Sequence, residues 1–151
     1  MSYNRAMLKY AFFDHTADIG VEIFGRTKKQ LFANAAEALF DVLIEKSGHK
    51  SKAVRRAKER LKIRTLDGMD LGDLLINFLR ELLYLVTGAG WVVKDCTILE
   101  CSNKRLVVQL LVEPFTNKVY SIKTEIKAVT YSGLSVTKNR IGWNARVIFD
   151  V

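Results

Sequence analysis

Ile19, Val21 and Ile23 alternate with Gly20, Glu22 and Phe24, a period of two that marks a strand with one buried side. Gly25 ends the run, and the chain before it leaves room for another strand, so the opening reads as two strands. The period then changes. Leu31, Ala35, Ala38, Leu39 and Val42 recur at helical spacing, and Phe32, Ala36, Phe40 and Leu43 widen the stripe. Thr27 followed by Gln30 has the form of a capping box at the helix start. Lys46-Ser47-Gly48 is the expected stop. A second helix is predicted after Asp70, which can cap it, with Asp73 in the first turn where the helix dipole favours negative charge. Leu71, Leu74, Leu75, Phe78, Leu82 and Leu85 form its apolar face, and Gly88 and Gly90 stop it.

Between the helices, Leu61, Ile63 and Thr65 alternate with Arg60, Lys62 and Arg64, as in a half-exposed strand. Beyond the second helix the chain is strand-like over 91–100, 105–113, 120–131, 134–138 and 142–151, with turns at Ser102-Asn103 and Asn139-Arg140. The expected fold is α+β in two layers: two helices on one face of a mixed, mostly antiparallel sheet of about six to eight strands. A length of 151 residues suits a single domain over 1–151, with residues 1–7 read as a flexible N-terminal extension.

Composition adds limits. Hydrophobic residues are 49% of the chain, enough for a sizeable core, and no apolar run reaches the roughly 18 residues of a membrane span. The start of the chain is polar and lacks an apolar signal region, so the expected location is the cytoplasm, with no membrane partner. Cys96 and Cys101 match neither a redox pair nor a zinc motif. Five apart on a strand they would lie on opposite faces, as two buried or half-buried thiols in a reducing compartment.

The net charge of +8 suggests an anionic partner, and the excess is concentrated in residues 46–64. Lys52, Arg55, Arg56 and Lys58 are candidate RNA contacts there, with a solvated loop and strand face as the plainer alternative. No aromatic residue is interleaved to stack a base.

The candidate chemistry lies at the two ends. Asp14, His15 and Asp18 fall between the first two strands, and Asp150 precedes Val151 at the other end. By strand parity Asp18 sits off the Ile19/Val21/Ile23 face. Asp150 shares a side with Asn144, Arg146 and Ile148, opposite Trp143, Ala145, Val147 and Phe149. If the strand ends meet, like charges converge, and a hard divalent cation or a basic side chain would relieve their repulsion. The plainer alternative is that Asp14 and Asp18 only cap a turn. His15 lacks the surroundings of a catalytic histidine, and no phosphate-binding glycine loop or zinc-protease motif occurs.

Three segments change the picture. Lys9-Tyr10 with Phe13-Asp14-His15-Thr16-Ala17-Asp18-Ile19-Gly20 resembles the N-terminal signature of the archease family. Leu74-Leu75 through Glu81-Leu82-Leu83-Tyr84 resembles its second helix. Lys127-Ala128-Val129-Thr130-Tyr131 and Val147-Ile148-Phe149-Asp150-Val151 resemble its last two signatures. The resemblance implies a non-catalytic protein cofactor of an RtcB-type tRNA-splicing RNA ligase, which promotes guanylylation and multiple turnover of that ligase. It implies a divalent cation, calcium in a structure or else magnesium or manganese. The implied ligands are the side chains of Asp18 and Asp150 and a main-chain or terminal oxygen of Val151, with Asp14 and His15 in support. Lys127 would contact the ligase or its nucleotide, and tRNA would be met only indirectly. Ser132 and Tyr120 stand where many members carry histidine. An RNA-binding or chaperone module for a tRNA-modifying enzyme such as a methyltransferase is the alternative, and a stand-alone metal-dependent hydrolase is a third.

Overall fold

The computed structural model describes residues 8–47 and 58–151. The expected extension at 1–7 and the candidate RNA contacts Lys52, Arg55 and Arg56 lie outside the described residues, whereas Lys58 is described and exposed. The elements run β1 (Tyr10–His15), β2 (Asp18–Gly25), α1 (Lys28–Leu43), β3 (Ile44–Lys46), β4 (Arg60–Asp67), α2 (Leu71–Thr87), β5 (Trp91–Cys101), β6 (Arg105–Pro114), β7 (Tyr120–Ile122), β8 (Ala128–Lys138) and β9 (Trp143–Asp150). Strands β1-β2-β9-β8 form one sheet, β4-β6-β5 a second, and β3 with β7 a small third. Every pairing among them is antiparallel, so the fold is α+β, with two helices and nine strands among the described residues.

The helices begin where local chemistry dictates. Thr27 Oγ1 accepts from the Gln30 amide at 3.1 Å, and Gln30 Oε1 in return accepts from the Arg26 amide at 2.9 Å. Asp70 Oδ1 accepts from the Asp73 amide at 2.8 Å, and Asp73 Oδ2 accepts from the Met69 amide at 2.9 Å. Both ends are therefore reciprocal caps, each shifted one residue from the usual closing donor. The helices bury Leu31, Phe32, Ala35 and Leu39 from α1 and Leu74, Leu75, Phe78 and Leu82 from α2. Phe32 meets Phe78 with ring centres 5.7 Å apart. Around them close Val21, Ile23, Val147 and Phe149 of one sheet and Leu106, Val108, Leu110 and Val112 of the other. No helix among the described residues is long and apolar enough to cross a membrane.

Three local expectations change. The first helix stops at Leu43, earlier than Lys46, because Ile44 is extended and pairs with Ile122. A β-branched residue with a strand partner prefers that partner to one more helical turn. The stretch 120–131 divides into β7 and the start of β8, and β8 runs on through 134–138 because a register shift between Thr130 and Ser135 absorbs the irregularity.

The third change concerns the cysteines. Shifts in β5 between Val93 and Asp95 and between Ile98 and Glu100 break simple parity. Cys96 therefore pairs with Leu110 and Cys101 with Leu106, so both thiols face the helix-covered side. Both are half-buried and free, as the composition suggests, but they share a face because the second bulge inserts one residue between them. Burial pushes the Cys96 thiol up to about 12, and Asp95 adds to the shift.

Candidate functional site at the tip of the four-stranded sheet

Thr16 and Ala17 alone connect β1 to β2, so the turn is two residues long. Asp14, His15 and Asp18 are therefore strand residues, not loop residues. Ala17 takes the left-handed conformation the turn needs, with φ 65°. The register then decides which side chains meet. His15 pairs with Asp18, Ile19 with Phe149, and Ala128 with Asp150. One further step along the β2–β9 ladder sets Asp18 opposite Asp150. Directly opposed residues project to the same face with Cα atoms about 5 Å apart. His15, Asp18, Asp150 and Ala128 thus form one row across four strands, on the face away from the helices.

A packing device holds the hairpin in that register. Phe13 pairs with Gly20, and the Phe13 ring lies where a side chain at residue 20 would stand: a Cβ there would fall 2.1 Å from Cε2. Glycine is needed for that close approach, not for its dihedral freedom. The Arg146 guanidinium covers the other side of the ring at 4.3 Å from its centre. Ile148, on this same outer face, is only 3% exposed. A small apolar shelf of Phe13, Gly20 and Ile148 thus adjoins the acidic row.

The acids are half-buried, which raises the cost of leaving them unpaired. His15 Nδ1 is 3.6 Å from Asp18 Oδ2, close enough for charge attraction when the ring is protonated but too long for a hydrogen bond. Asp150 has no ion pair among the described residues, while its carbonyl accepts from the Lys127 amide at 2.7 Å. That bond brings Lys127 beside the row with its side chain exposed. Val151 packs against the core, which anchors its main-chain oxygens next to Asp150.

Asp14 departs from the cluster. It pairs with Ile19 and so projects to the other face, where it lines a shallow recess with Asp41 and Lys123. Among the described residues no three His, Cys, Asp or Glu side chains lie close enough together to hold a metal ion. Asp18 and Asp150 supply hard oxygen donors of the right kind, and main-chain oxygens would have to complete the set.

The start of β8 is clamped from the second helix, which the sequence did not signal. Arg80 Nε and Nη2 donate to the Val129 carbonyl at 3.1 and 3.0 Å, and the Arg80 guanidinium stacks 4.8 Å from the Tyr131 ring centre. The Tyr131 hydroxyl donates to Asp73 Oδ1 at 2.5 Å. That bond, with the Met69 amide, holds the Asp73 carboxyl below the usual carboxylate range. Tyr120 donates to the buried Glu113 carboxylate, beneath the other sheet and away from the row. The contact of Arg146 with Phe13 leaves no mark in the sequence either, and the seven-residue spacing of Phe13 and Gly20 points to their packing only once the two-residue turn is known.

The model of the archease protein family matches residues 10–151. The chain belongs to the archease family. It is 35% identical over 147 residues to the archease of Methanosarcina barkeri, covering 95% of this chain and 96% of that one. It is 32% identical over 149 residues to the archease of Pyrococcus abyssi, covering 96% and 100%. Among solved structures, it resembles the solution structure of Methanobacterium thermoautotrophicum protein 1598, with 26% identity, coverage of 95% and 99%, and a TM-score of 0.66. A Thermotoga maritima protein described as an archease and possible chaperone shares the fold, with 24% identity, coverage of 92% and 94%, and a TM-score of 0.61.

Proposed function

We propose that this archease is a non-catalytic protein cofactor of an RtcB-type RNA ligase in tRNA splicing or RNA repair, acting through a cation-holding tip. The observation that carries this reading is the pairing of Ile19 with Phe149 at the end of the β2–β9 ladder, whose continuation by one residue brings Asp18 opposite Asp150 and unites signatures from the two ends of the chain. Two half-buried carboxylates opposed on neighbouring strands repel each other unless a counter-charge sits between them. A hard divalent cation, calcium, magnesium or manganese, supplies that charge and, when bound, can stabilise phosphate oxygens. Asp18 and Asp150 would hold it with a main-chain oxygen of Val151. His15 borders Asp18, while the exposed Lys127 side chain would meet the ligase or its nucleotide. The reading supposes that the tip enters the ligase site and stabilises a conformation competent for nucleotidyl transfer.

The test is single-turnover guanylylation and multiple-turnover ligation by the partner ligase, with and without this protein, at varied metal. Asp18→Ala and Asp150→Ala should abolish stimulation while leaving the circular dichroism spectrum unchanged. Full stimulation by both variants would remove the reading. The alternative, an RNA-binding or chaperone module for a tRNA-modifying enzyme, draws on the basic stretch at 46–64. It predicts salt-dependent binding of tRNA by the isolated protein, lost when those cations are neutralised.

A further inference from the structure

Among the described residues β4 pairs with β6 alone, so it is an edge strand. Its side chains are distributed in an unusual way. Leu61 and Ile63 turn away from the helices and are 64% and 59% exposed. Arg60, Lys62 and Arg64 instead share the inward side with the buried Val112, Leu110 and Val108 opposite them on β6. Lys62 Nζ lies 4.7 Å and the Arg60 guanidinium 5.6 Å from the centre of the Trp91 ring. Arg64 Nε lies 3.4 Å from Glu81 Oε1; neither Arg60 nor Lys62 has a carboxylate partner among the described residues.

The main chain is open too. The Ile63 carbonyl accepts from Arg64 Nη1 at 3.2 Å and the Asp67 carbonyl from Asn77 Nδ2 at 3.0 Å. Both carbonyls therefore point off the β6 ladder, and alternation places the polar groups of Leu61 and Thr65 on that open side with them.

We propose that the open edge of β4 receives an extended segment of a partner protein that alternates acidic and apolar residues. Such a segment would add to the sheet as a further strand, with its main chain bonding to Leu61, Ile63 and Thr65. Its side chains would fall alternately on the two faces. Apolar ones would meet Leu61 and Ile63 and extend the shelf that Leu111 and Val107 begin on β6, both half-buried on that face. Acidic ones would meet Arg60 and Lys62, the two cations of β4 without a carboxylate partner among the described residues.

Charge argues against a second copy as occupant. Strand β4 laid beside itself would oppose arginine and lysine to their own kind, and inward charges on an edge are a known barrier to such pairing. The same barrier selects an acidic strand. RNA would leave Leu61 and Ile63 unused, and Trp91 is already occupied by two cations. This inference is independent of the ligase reading and of the acidic row.

The test uses the full chain, isotope-labelled, and a capped peptide alternating glutamate with valine. Amide resonances of residues 61–65 should shift, and exchange of the Leu61, Ile63 and Thr65 amides should slow. A peptide with lysine in place of glutamate should bind at least about tenfold more weakly, as should the glutamate peptide to the Arg60→Glu/Lys62→Glu variant. Leu61→Thr/Ile63→Thr, which touches only exposed side chains, should weaken binding while lowering the melting temperature by no more than a few degrees. Equal affinity for both peptides, or unchanged exchange, would overturn the proposal. So would stronger perturbation of the same amides by a single-stranded RNA oligonucleotide, or self-association of the free protein through β4.

Discussion

The two larger sheets each turn one face to the helices and one to solvent, and they use the outer face in opposite ways. In the four-stranded sheet the inner parity of β2 and β9 is apolar, and the outer parity carries the row His15, Asp18 and Asp150 beside a shelf of Phe13, Gly20 and Ile148. In the three-stranded sheet β6 and β5 keep the same rule, but β4 reverses it, with its cations inward and Leu61 and Ile63 outward. The difference follows from position. Strands β2 and β9 lie in the middle of their sheet, so a one-residue slip would expose their whole apolar set. Strand β4 is an edge with α2 over only part of it, and long cationic side chains can lie across Trp91 with their charges still wet. Alternation thus reports that a strand exists, while neighbours decide which parity is buried.

The largest effect that would test this contrast is on the hairpin shelf. Gly20→Val should destabilise the protein by about 3 kcal/mol, because the Phe13 ring has to leave its place over the main chain. Urea unfolding measures it. Adding Phe13→Ala should recover part of the loss, and an unchanged midpoint for the single variant would mean the ring does not lie there.

A second effect separates a cation-holding row from turn-capping aspartates. If Asp18 and Asp150 hold a divalent cation, calcium at about one hundred times its Kd should add about 2.7 kcal/mol of stability, read as a rise in melting temperature. Asp18→Asn and Asp150→Asn should each remove most of that rise. They should also lose little stability in chelator, since each relieves the repulsion. A calcium response identical in both variants would place the cation elsewhere.

The edge strand gives the third and opposite result. Leu110→Ala, on the buried parity of the three-stranded sheet, should cost about 3 kcal/mol. Leu61→Thr/Ile63→Thr, on the open parity, should change stability by no more than about 0.5 kcal/mol per residue. Comparable losses from both would show that the outer face of β4 is covered in solution.

What the sequence disclosed follows from the range over which each signal acts. The Thr27 and Asp70 caps and the apolar stripes of both helices are local, and they were legible. So was the parity that sets Asp18 and Asp150 off the core. The separation of Asp14 from Asp18 was not, because it depends on whether the turn has two residues or more. The shared face of Cys96 and Cys101 depends on a bulge that leaves no mark in composition. Strands β3 and β7 are three residues each and exist through their pairing with each other. The clamp of Arg80, Tyr131 and Asp73 joins residues 58 apart in sequence between Asp73 and Tyr131, a distance over which a single chain carries no pairing signal.

That clamp supports the smallest effect. Asp73 is held below the usual carboxylate range first by the Tyr131 hydroxyl and then by the Met69 amide. A carboxylate depressed on folding adds stability above its unfolded value, and the contribution fades as pH falls through the folded value. Tyr131→Phe should therefore raise the Asp73 titration toward the ordinary range, followed by carbon-13 NMR of the side-chain carboxyl. It should also shift the onset of acid unfolding upward. The Met69 amide keeps its bond, so the rise should be incomplete. Because Tyr131 is exposed to water and Asp73 is only half-buried, neutral-pH stability should hardly move. If Asp73 titrates alike in both proteins, Tyr131 does not reach it, and the start of β8 is held by Arg80 alone.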